Sequence, residues 1–167
     1  PQHATHTPIA FTMTDSPNLE RLTDAFYERL RRETEINCVN GVAVITTPFV
    51  DRHNDFLSIC VLPAKAADIG NTIADLETCG CDTQTPERRR LFETIVRSYG
   101  AELSADNELV VPFDTDDFPE KLHRLLQAML AVDAAGVFND LARTPELRGL
   151  RTGVPEFFVR AVWTRER

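Results

Sequence analysis

The stretch from Val42 to Leu62 limits the fold of this chain more than any other. It consists of two apolar runs, 42–49 and 55–62, on either side of the polar segment Asp51-Arg52-His53-Asn54-Asp55. Two runs rich in β-branched residues and joined by a short polar segment predict an antiparallel hairpin. The second run is apolar at successive positions, which predicts a central strand covered on both faces. We call residues 51–55 the hairpin tip.

Apolar residues recur at three- and four-residue steps in four other segments, and this spacing predicts amphipathic helices. The predicted helices cover about 17–32, 72–79, 86–99 and 118–135. Further strands are predicted at 35–39, within 63–71, and in a second hairpin at 101–104 and 109–113. The strands and helices do not alternate regularly. The fold class predicted is therefore α+β, with a central antiparallel sheet flanked by helices.

The two ends of the chain differ from its middle. Residues 1–15 show no periodicity and are predicted to form a loose N-terminal arm, whereas 16–140 are predicted to form a single α+β domain. Residues 141–167 contain six Arg and three Glu, which gives this segment a charge of +3. We expect it to be a basic C-terminal extension packed on the domain, with a late strand at 155–163.

The overall charge and the cysteines bear on compartment and partners. A net charge of −8 argues against affinity for nucleic-acid backbones. No apolar run approaches the roughly 20 residues that span a bilayer, and the N-terminus lacks the pattern of a secretory signal. Four cysteines without such a signal are expected to be reduced thiols. We expect a cytoplasmic protein whose partner is another protein, and neither a membrane nor a nucleic acid.

The hairpin tip is the strongest candidate for a site. If the chain is extended there, Asp51, His53 and Asp55 lie on one face of a strand. Two carboxylates and an imidazole can bind a divalent metal, and such a metal can activate water for hydrolysis. The alternative is a hairpin turn, because Asp and Asn side chains accept hydrogen bonds from nearby backbone amides. In a turn the three side chains would diverge.

Other residues are weaker candidates for binding. Arg52 and Asn54 belong to the hairpin tip itself. Asp68 lies before the helix predicted at 72–79, and it either adds a carboxylate to the tip or helps to start that helix. His123 lies on the long fourth helix, where proximity to the tip would make it a ligand.

Two further motifs give only weak indications of a ligand. One interpretation of Arg88-Arg89-Arg90 is that it binds a phosphate group. Because three consecutive residues cover most of a helical turn, at least one must point toward the body, and a solvated face is favoured for the run. Cys79-Gly80-Cys81 has no second Cys or His pair at zinc-finger spacing, so a zinc finger is not indicated.

Four segments of the chain resemble a known family. They read TTPFVDRHNDFLSICV, TIADLETCG, TPERRRLFETIVRSYGA and LHRLLQAMLAV. Over roughly residues 28–133 the chain resembles the bacterial and phage family called domain of unknown function 1828. The resemblance implies an accessory protein of a prophage or another mobile element. The family usually has an Asp-Asp-Gly turn before the second of these segments, whereas this chain has Asp68-Ile69-Gly70.

Two functions are compatible with these observations. The first is a non-enzymatic protein-binding or regulatory module, such as an inhibitor, which needs no cofactor and whose acidic surface could occupy a basic groove of its partner. The second is a metal-dependent hydrolase or nuclease acting on phosphodiesters through Asp51, His53 and Asp55. A nuclease of the PD-(D/E)xK kind would need a lysine on the second strand, and the nearest is Lys65, beyond that strand. The first function is therefore preferred, and whether the protein is an enzyme stays open.

Overall fold

A computed structural model describes residues 16–141, which form four helices and a six-stranded sheet. The α+β class is thereby confirmed. The helices are α1 (Ser16–Glu33), α2 (Asn71–Thr78), α3 (Pro86–Ser98) and α4 (Phe118–Leu141). The strands are β1 (Glu35–Val39), β2 (Val42–Val50), β3 (Phe56–Leu62), β4 (Lys65–Ala67), β5 (Glu102–Leu103) and β6 (Leu109–Pro112). The predicted N-terminal arm, C-terminal extension and late strand lie outside the described residues.

The sheet is antiparallel throughout, with the strand order β1-β2-β3-β4-β6-β5. The turn between β1 and β2 consists of Asn40 and Gly41, whose φ angles are 53° and 81°. Asn and Gly tolerate this left-handed conformation, and it matches the twist of the two strands. The predicted hairpin of β2 and β3 is confirmed, and Ile45 lies opposite Ile59 in it.

The core lies between one face of the sheet and the helices α2, α3 and α4. It contains buried sheet residues and buried helix residues, among them Leu57, Ile59, Ala66, Leu109, Val111, Leu76, Phe92, Val96, Leu125, Met129 and Val132. β3 is central in the sheet, as predicted. The prediction that both of its faces are covered is wrong for Phe56, which points away from Leu57 and is 64% exposed. An apolar side chain near a strand end does not require burial.

Close packing between α2 and α4 brings the end of α4 toward the hairpin tip. Gly136 lies against Leu76, and a Cβ atom at Gly136 would be 2.2 Å from Leu76 Cδ2. A larger residue would hold the two helices apart. The absence of a side chain at this position therefore permits the helix contact that also places Asp133, one turn earlier, near residues 51–55.

α1 is amphipathic as predicted, yet its apolar stripe is exposed. Leu19, Leu22 and Phe26 are 62%, 57% and 56% exposed. The helix lies beside β2, and within residues 16–141 nothing covers the stripe. An amphipathic helix of a globular protein normally buries this face. Here the described residues leave it uncovered.

All four cysteines lie in the described part of the chain, and none forms a disulfide, as predicted. Among the helices of residues 16–141, none has both the length and the apolar composition that crossing a bilayer requires.

Candidate functional site at the hairpin tip

The hairpin tip is a turn built around the side chain of Asp51. Its Oδ1 accepts hydrogen bonds from the backbone N–H groups of His53, at 2.8 Å, and Asp55, at 3.0 Å. The backbone N–H of Asn54 donates to the Asp51 carbonyl at 3.1 Å, and Asn54 has a φ of 67°, which Asn tolerates. Asp51, His53 and Asp55 thus do not form the extended row that would place them on one face.

Arg52 holds this turn against two helices. Its backbone N–H donates to Asp133 Oδ2 at 3.2 Å, and its guanidinium pairs with the Asp133 carboxylate. The guanidinium also pairs with Asp75 Oδ2 at 2.8 Å. Burial lowers the pKa of Arg52, but a hydrogen bond to Cys79 and the charges of Asp133 and Asp75 outweigh it, so the pKa is raised. The net effect stabilises the cation that links the tip to α2 and α4.

Three side chains with metal-binding or nucleophilic chemistry meet beside Arg52, and we call them the tip cluster. Cys79 Sγ lies 3.2 Å from His53 Nε2, and Asp75 Oδ2 lies 3.6 Å from the same nitrogen. One ligand atom from each residue lies within 4.8 Å of the others. Asp75 and Cys79 project together because they are one turn apart on α2. Such a set can bind a metal ion or serve as a nucleophile and base.

A cavity of about 360 Å³ opens next to the tip cluster. Four aspartates line it, which are Asp51, Asp55, Asp75 and Asp133. Leu57 and Met129 supply part of its apolar lining. Because the ionisable residues of the lining are all acidic, the cavity favours a cationic group over an anionic one.

Asp68 lies at the start of α2 and not at the hairpin tip. Its side chain is completely buried, and it accepts hydrogen bonds from three backbone amides. Oδ1 accepts from Gly70, at 3.0 Å, and Leu109, at 2.7 Å, while Oδ2 accepts from Thr72 at 3.1 Å. Of the two interpretations of Asp68, the contacts agree with the helix start. This carboxylate also ties α2 to β6.

The other predicted binding residues do not join the tip cluster. Asn54 is exposed at the turn. His123 is exposed on α4, ten positions before Asp133, which corresponds to about 15 Å along a helix. His123 therefore lies far from the groups that meet at the tip.

The three consecutive arginines have three different environments. Arg88 is 2% exposed, and its NH1 donates to Cys81 Sγ at 2.6 Å. Arg89 is half-buried, and its NH2 donates to the Ser104 carbonyl at 2.6 Å. The prediction that at least one arginine points toward the body is confirmed by Arg88, whereas the favoured solvated face holds only for the exposed Arg90. The long aliphatic stem of arginine allows such burial when its charged end finds acceptors.

The predicted site does not include Asp75, Cys79 and Asp133, and Cys79 was considered only as part of the Cys79-Gly80-Cys81 motif. One signal for the first two was their spacing of four on a predicted helix, which places them on the same face. The signal for Asp133 was its position in the apolar stripe of α4, four residues after Met129. An acidic residue there is buried and needs a positively charged partner. Neither signal shows that these side chains contact the hairpin tip.

Comparison with known proteins is limited to one family. No curated protein and no solved structure matches the chain. The family model described as Domain of unknown function DUF1828 matches residues 47–132, just over half of the chain. The match includes Arg52, His53, Asp75 and Cys79, stops one residue before Asp133, and excludes α1 and β1. The chain belongs to the family of the domain of unknown function DUF1828.

Proposed function

We propose that this protein is a non-enzymatic protein-binding module of a prophage or mobile element, acting in the cytoplasm. We further propose that its partner docks on the α1–β1 surface. This surface consists of the exposed apolar residues Leu19, Leu22, Phe26 and Tyr27 of α1 and Ile36 of β1. The exposure of this set is the observation that carries the proposal.

The size of the α1–β1 surface supports a specific contact. α1 has 18 residues and is therefore about 27 Å long. Phe26 and Tyr27 are 56% and 62% exposed, and an aromatic side chain can bury on the order of 150–250 Å². Large exposed apolar areas are uncommon on proteins that function alone and are common on docking surfaces. The aromatic residues are the expected anchors of the contact.

The free edge of β1 supplies the second part of this surface. β1 pairs with β2, and no other strand of residues 16–141 pairs with its outer side. Natural edge strands are commonly protected by charged side chains, especially Lys, or by Pro, and β1 (EINCV) has one such residue, Glu35, at its start. A partner strand can add to such an edge through backbone hydrogen bonds, with side-chain contacts providing specificity. Ile36, which is 73% exposed, would lie within that contact.

The distribution of charge indicates what kind of protein binds. Residues 16–50 carry five acidic and four basic side chains, a net charge of −1, whereas residues 51–140 carry 17 acidic and eight basic, a net charge of −9. The apolar surface is thus nearly neutral and adjoins an acidic body. A partner with an apolar, strand-forming contact surface flanked by basic residues complements this arrangement. A second copy, also acidic, would be repelled.

The alternative of a phosphodiester hydrolase acting through Asp51, His53 and Asp55 has less support. It requires the three side chains to converge on a metal ion. Asp51 Oδ1 instead accepts two backbone hydrogen bonds within the turn, and His53 Nε2 faces Asp75 and Cys79. We therefore prefer the binding module.

The test compares the wild-type chain with a variant that disrupts the proposed surface. A partner isolated from the native cell is purified, and its affinity is measured for wild type, Phe26→Glu/Ile36→Glu and the control Leu91→Glu. Leu91 is also an exposed apolar residue but lies on α3. We expect the double variant to bind at least tenfold more weakly, the control to bind as wild type does, and amide exchange in α1 and β1 to slow in the complex.

Three results would overturn the proposal. One is equal affinity of the double variant and wild type. Another is slower amide exchange confined to a different surface of the chain. The third is a wild-type dimer in light scattering that the double variant abolishes, which would assign this surface to a second copy.

A further inference from the structure

We infer that the tip cluster is a binding site for a divalent transition-metal ion of the zinc type, held by His53 Nε2, Asp75 Oδ2 and Cys79 Sγ. The inference rests on the cluster alone and does not depend on the proposed protein-binding function. It concerns a different set of ligands from the Asp51, His53 and Asp55 set that the sequence indicates.

The two distances from His53 Nε2 to the other donor atoms are close to those of tetrahedral coordination. Zinc binds sulfur, nitrogen and oxygen ligands at 2.0–2.3 Å, so two tetrahedral ligands are about 3.3–3.7 Å apart. Cys79 Sγ and His53 Nε2 are 3.2 Å apart, and Asp75 Oδ2 and His53 Nε2 are 3.6 Å apart. The donors are thus already near the separations that a bound ion would require, and small side-chain adjustments suffice.

The direction of approach to His53 distinguishes a metal site from a catalytic Cys–His pair. In such a pair, the nucleophile contacts one ring nitrogen while an orienting group contacts the other. Here Cys79 Sγ and Asp75 Oδ2 both approach Nε2. The three donor atoms lie within 4.8 Å of one another, and the sulfur and the oxygen lie beside the same nitrogen, which is the arrangement that a single ion needs.

The backbone and a neighbouring cation hold two of these ligands in place. The Asp51 carboxylate fixes the turn that carries His53. Arg52 binds the carboxylate of Asp75 at 2.8 Å, which limits its rotation. Hydrogen bonds to ligating groups from residues behind them are typical of metal sites and orient the ligands.

The charge around the cluster matches a divalent cation. Arg52 contributes one positive charge, while Asp75 and Asp133 contribute two negative charges, and Asp51 and Asp55 line the same cavity. The surroundings are therefore net negative before an ion binds, which favours a cation. Arg52 is already paired with Asp75 and Asp133, so it does not repel the ion as an unpaired cation would.

The donor types select the metal. Thiolate and imidazole ligands favour zinc and similar borderline ions, whereas Mg²⁺ and Ca²⁺ prefer oxygen ligands. Three protein ligands leave the fourth tetrahedral position to water or to an external donor. A bound ion would join the hairpin tip to α2 in addition to the Arg52 ion pairs.

Cobalt provides a direct spectroscopic test, because Co²⁺ bound to a thiolate absorbs in the near ultraviolet. The full chain is titrated with Co²⁺, and Zn²⁺ is then added as a competitor. We expect one equivalent of cobalt–thiolate absorption that Zn²⁺ displaces and Mg²⁺ does not. Cys79→Ser should abolish this absorption, His53→Ala and Asp75→Asn should weaken Co²⁺ binding at least tenfold, and Cys38→Ser should leave it unchanged. Cys38 is a matched control because it is also exposed.

A second readout uses only the wild-type chain, so it does not depend on whether a variant folds. Alkylation of each cysteine is followed by mass spectrometry with and without Zn²⁺. We expect Zn²⁺ to slow the modification of Cys79 at least tenfold and to leave that of Cys38 unchanged. Absence of cobalt–thiolate absorption in wild type, its persistence in Cys79→Ser, or equal Cys79 alkylation with and without Zn²⁺ would each overturn the inference.

Discussion

Arg52 and Asp133 lie 81 residues apart in the sequence and form an ion pair that seats the hairpin tip on α4. Their side chains are 17% and 11% exposed, so the pair is largely removed from water. A charge in such a place requires its partner, because a single buried charge loses its hydration without compensation. The position of the hairpin tip, and with it of His53, therefore depends on a residue of a distant helix.

Removal of the Asp133 carboxylate should destabilise the fold. We expect Asp133→Ala to lower the free energy of unfolding by about 2–3 kcal/mol, since it leaves Asp75 as the only acidic partner of the Arg52 guanidinium. Urea denaturation measures this change. The control is Glu120→Ala, which removes an exposed ion pair with Arg124 and should change the free energy by less than about 1 kcal/mol. Equal effects would show that the Arg52–Asp133 pair is no more important than a surface pair.

Ile69 is expected to be less favourable for stability than Asn at the same position. It has a φ of 51° and is 50% exposed. The left-handed conformation costs an ordinary residue about 1–2 kcal/mol, and β-branched residues tolerate it least, whereas Asn and Asp adopt it readily. Ile69→Asn should raise the free energy of unfolding by about 1 kcal/mol, and Ile69→Val should bring no gain. A decrease for Ile69→Asn in urea denaturation would contradict this reasoning.

Glu77 should contribute to the pH dependence of stability on the acidic side. Hydrogen bonds from Thr83 and Gln84 lower its pKa below the usual value. The folded state therefore gains stability above the unfolded-state pKa of about 4.3, and this gain is lost as the pH falls through the lower folded pKa. Thr83→Val should raise the pKa of Glu77 in an NMR titration and reduce the loss of stability on acidification. Thr94→Val, which removes a hydroxyl elsewhere on the surface, should change neither.

Gly136 should not tolerate a side chain. A Cβ atom there would lie 2.2 Å from Leu76 Cδ2, and Leu76 is only 1% exposed. We expect Gly136→Ala to lower the free energy of unfolding by about 1–3 kcal/mol, although alanine favours a helix by about 1 kcal/mol over glycine. In a double-mutant cycle, Leu76→Ala should cost less in the Gly136→Ala background than in wild type. Additive effects would show that the two residues do not compete for space.

The elements of the fold follow from local patterns, but their arrangement in the sheet does not. Apolar spacing predicts the helices, and the β-branched runs of 42–62 predict the hairpin that the structure contains. The pairing of Lys65 with Pro112 joins β4 to β6 across two intervening helices, and no local signal determines it. The exposure of the α1 stripe could not be foreseen either, since the same periodicity predicts a buried face.

The sequence indicates only part of the site. Five polar residues between two strands indicate a site at 51–55, and all five take part in the turn or its contacts with α2 and α4. By their spacing alone, Asp51, His53 and Asp55 are equivalent candidate ligands. In the structure, the carboxylate of Asp51 instead accepts hydrogen bonds from backbone amides. The partners of His53 come from α2, and only the packing of that helix beside the hairpin determines which side chains meet.

β4 consists of three residues, yet it connects the hairpin strands to β6 through three residue pairs on each side. The sheet is thus narrow in its centre, where Ala66 and Ala67 are almost completely buried. A mechanical load that pulls β1, β2 and β3 away from β6 and β5 would meet three residue pairs at this strand, against five in the β2–β3 ladder. The two halves of the sheet would separate there first, so the short strand with its core alanines, and not the long β2–β3 ladder, limits the resistance of the sheet to such a load.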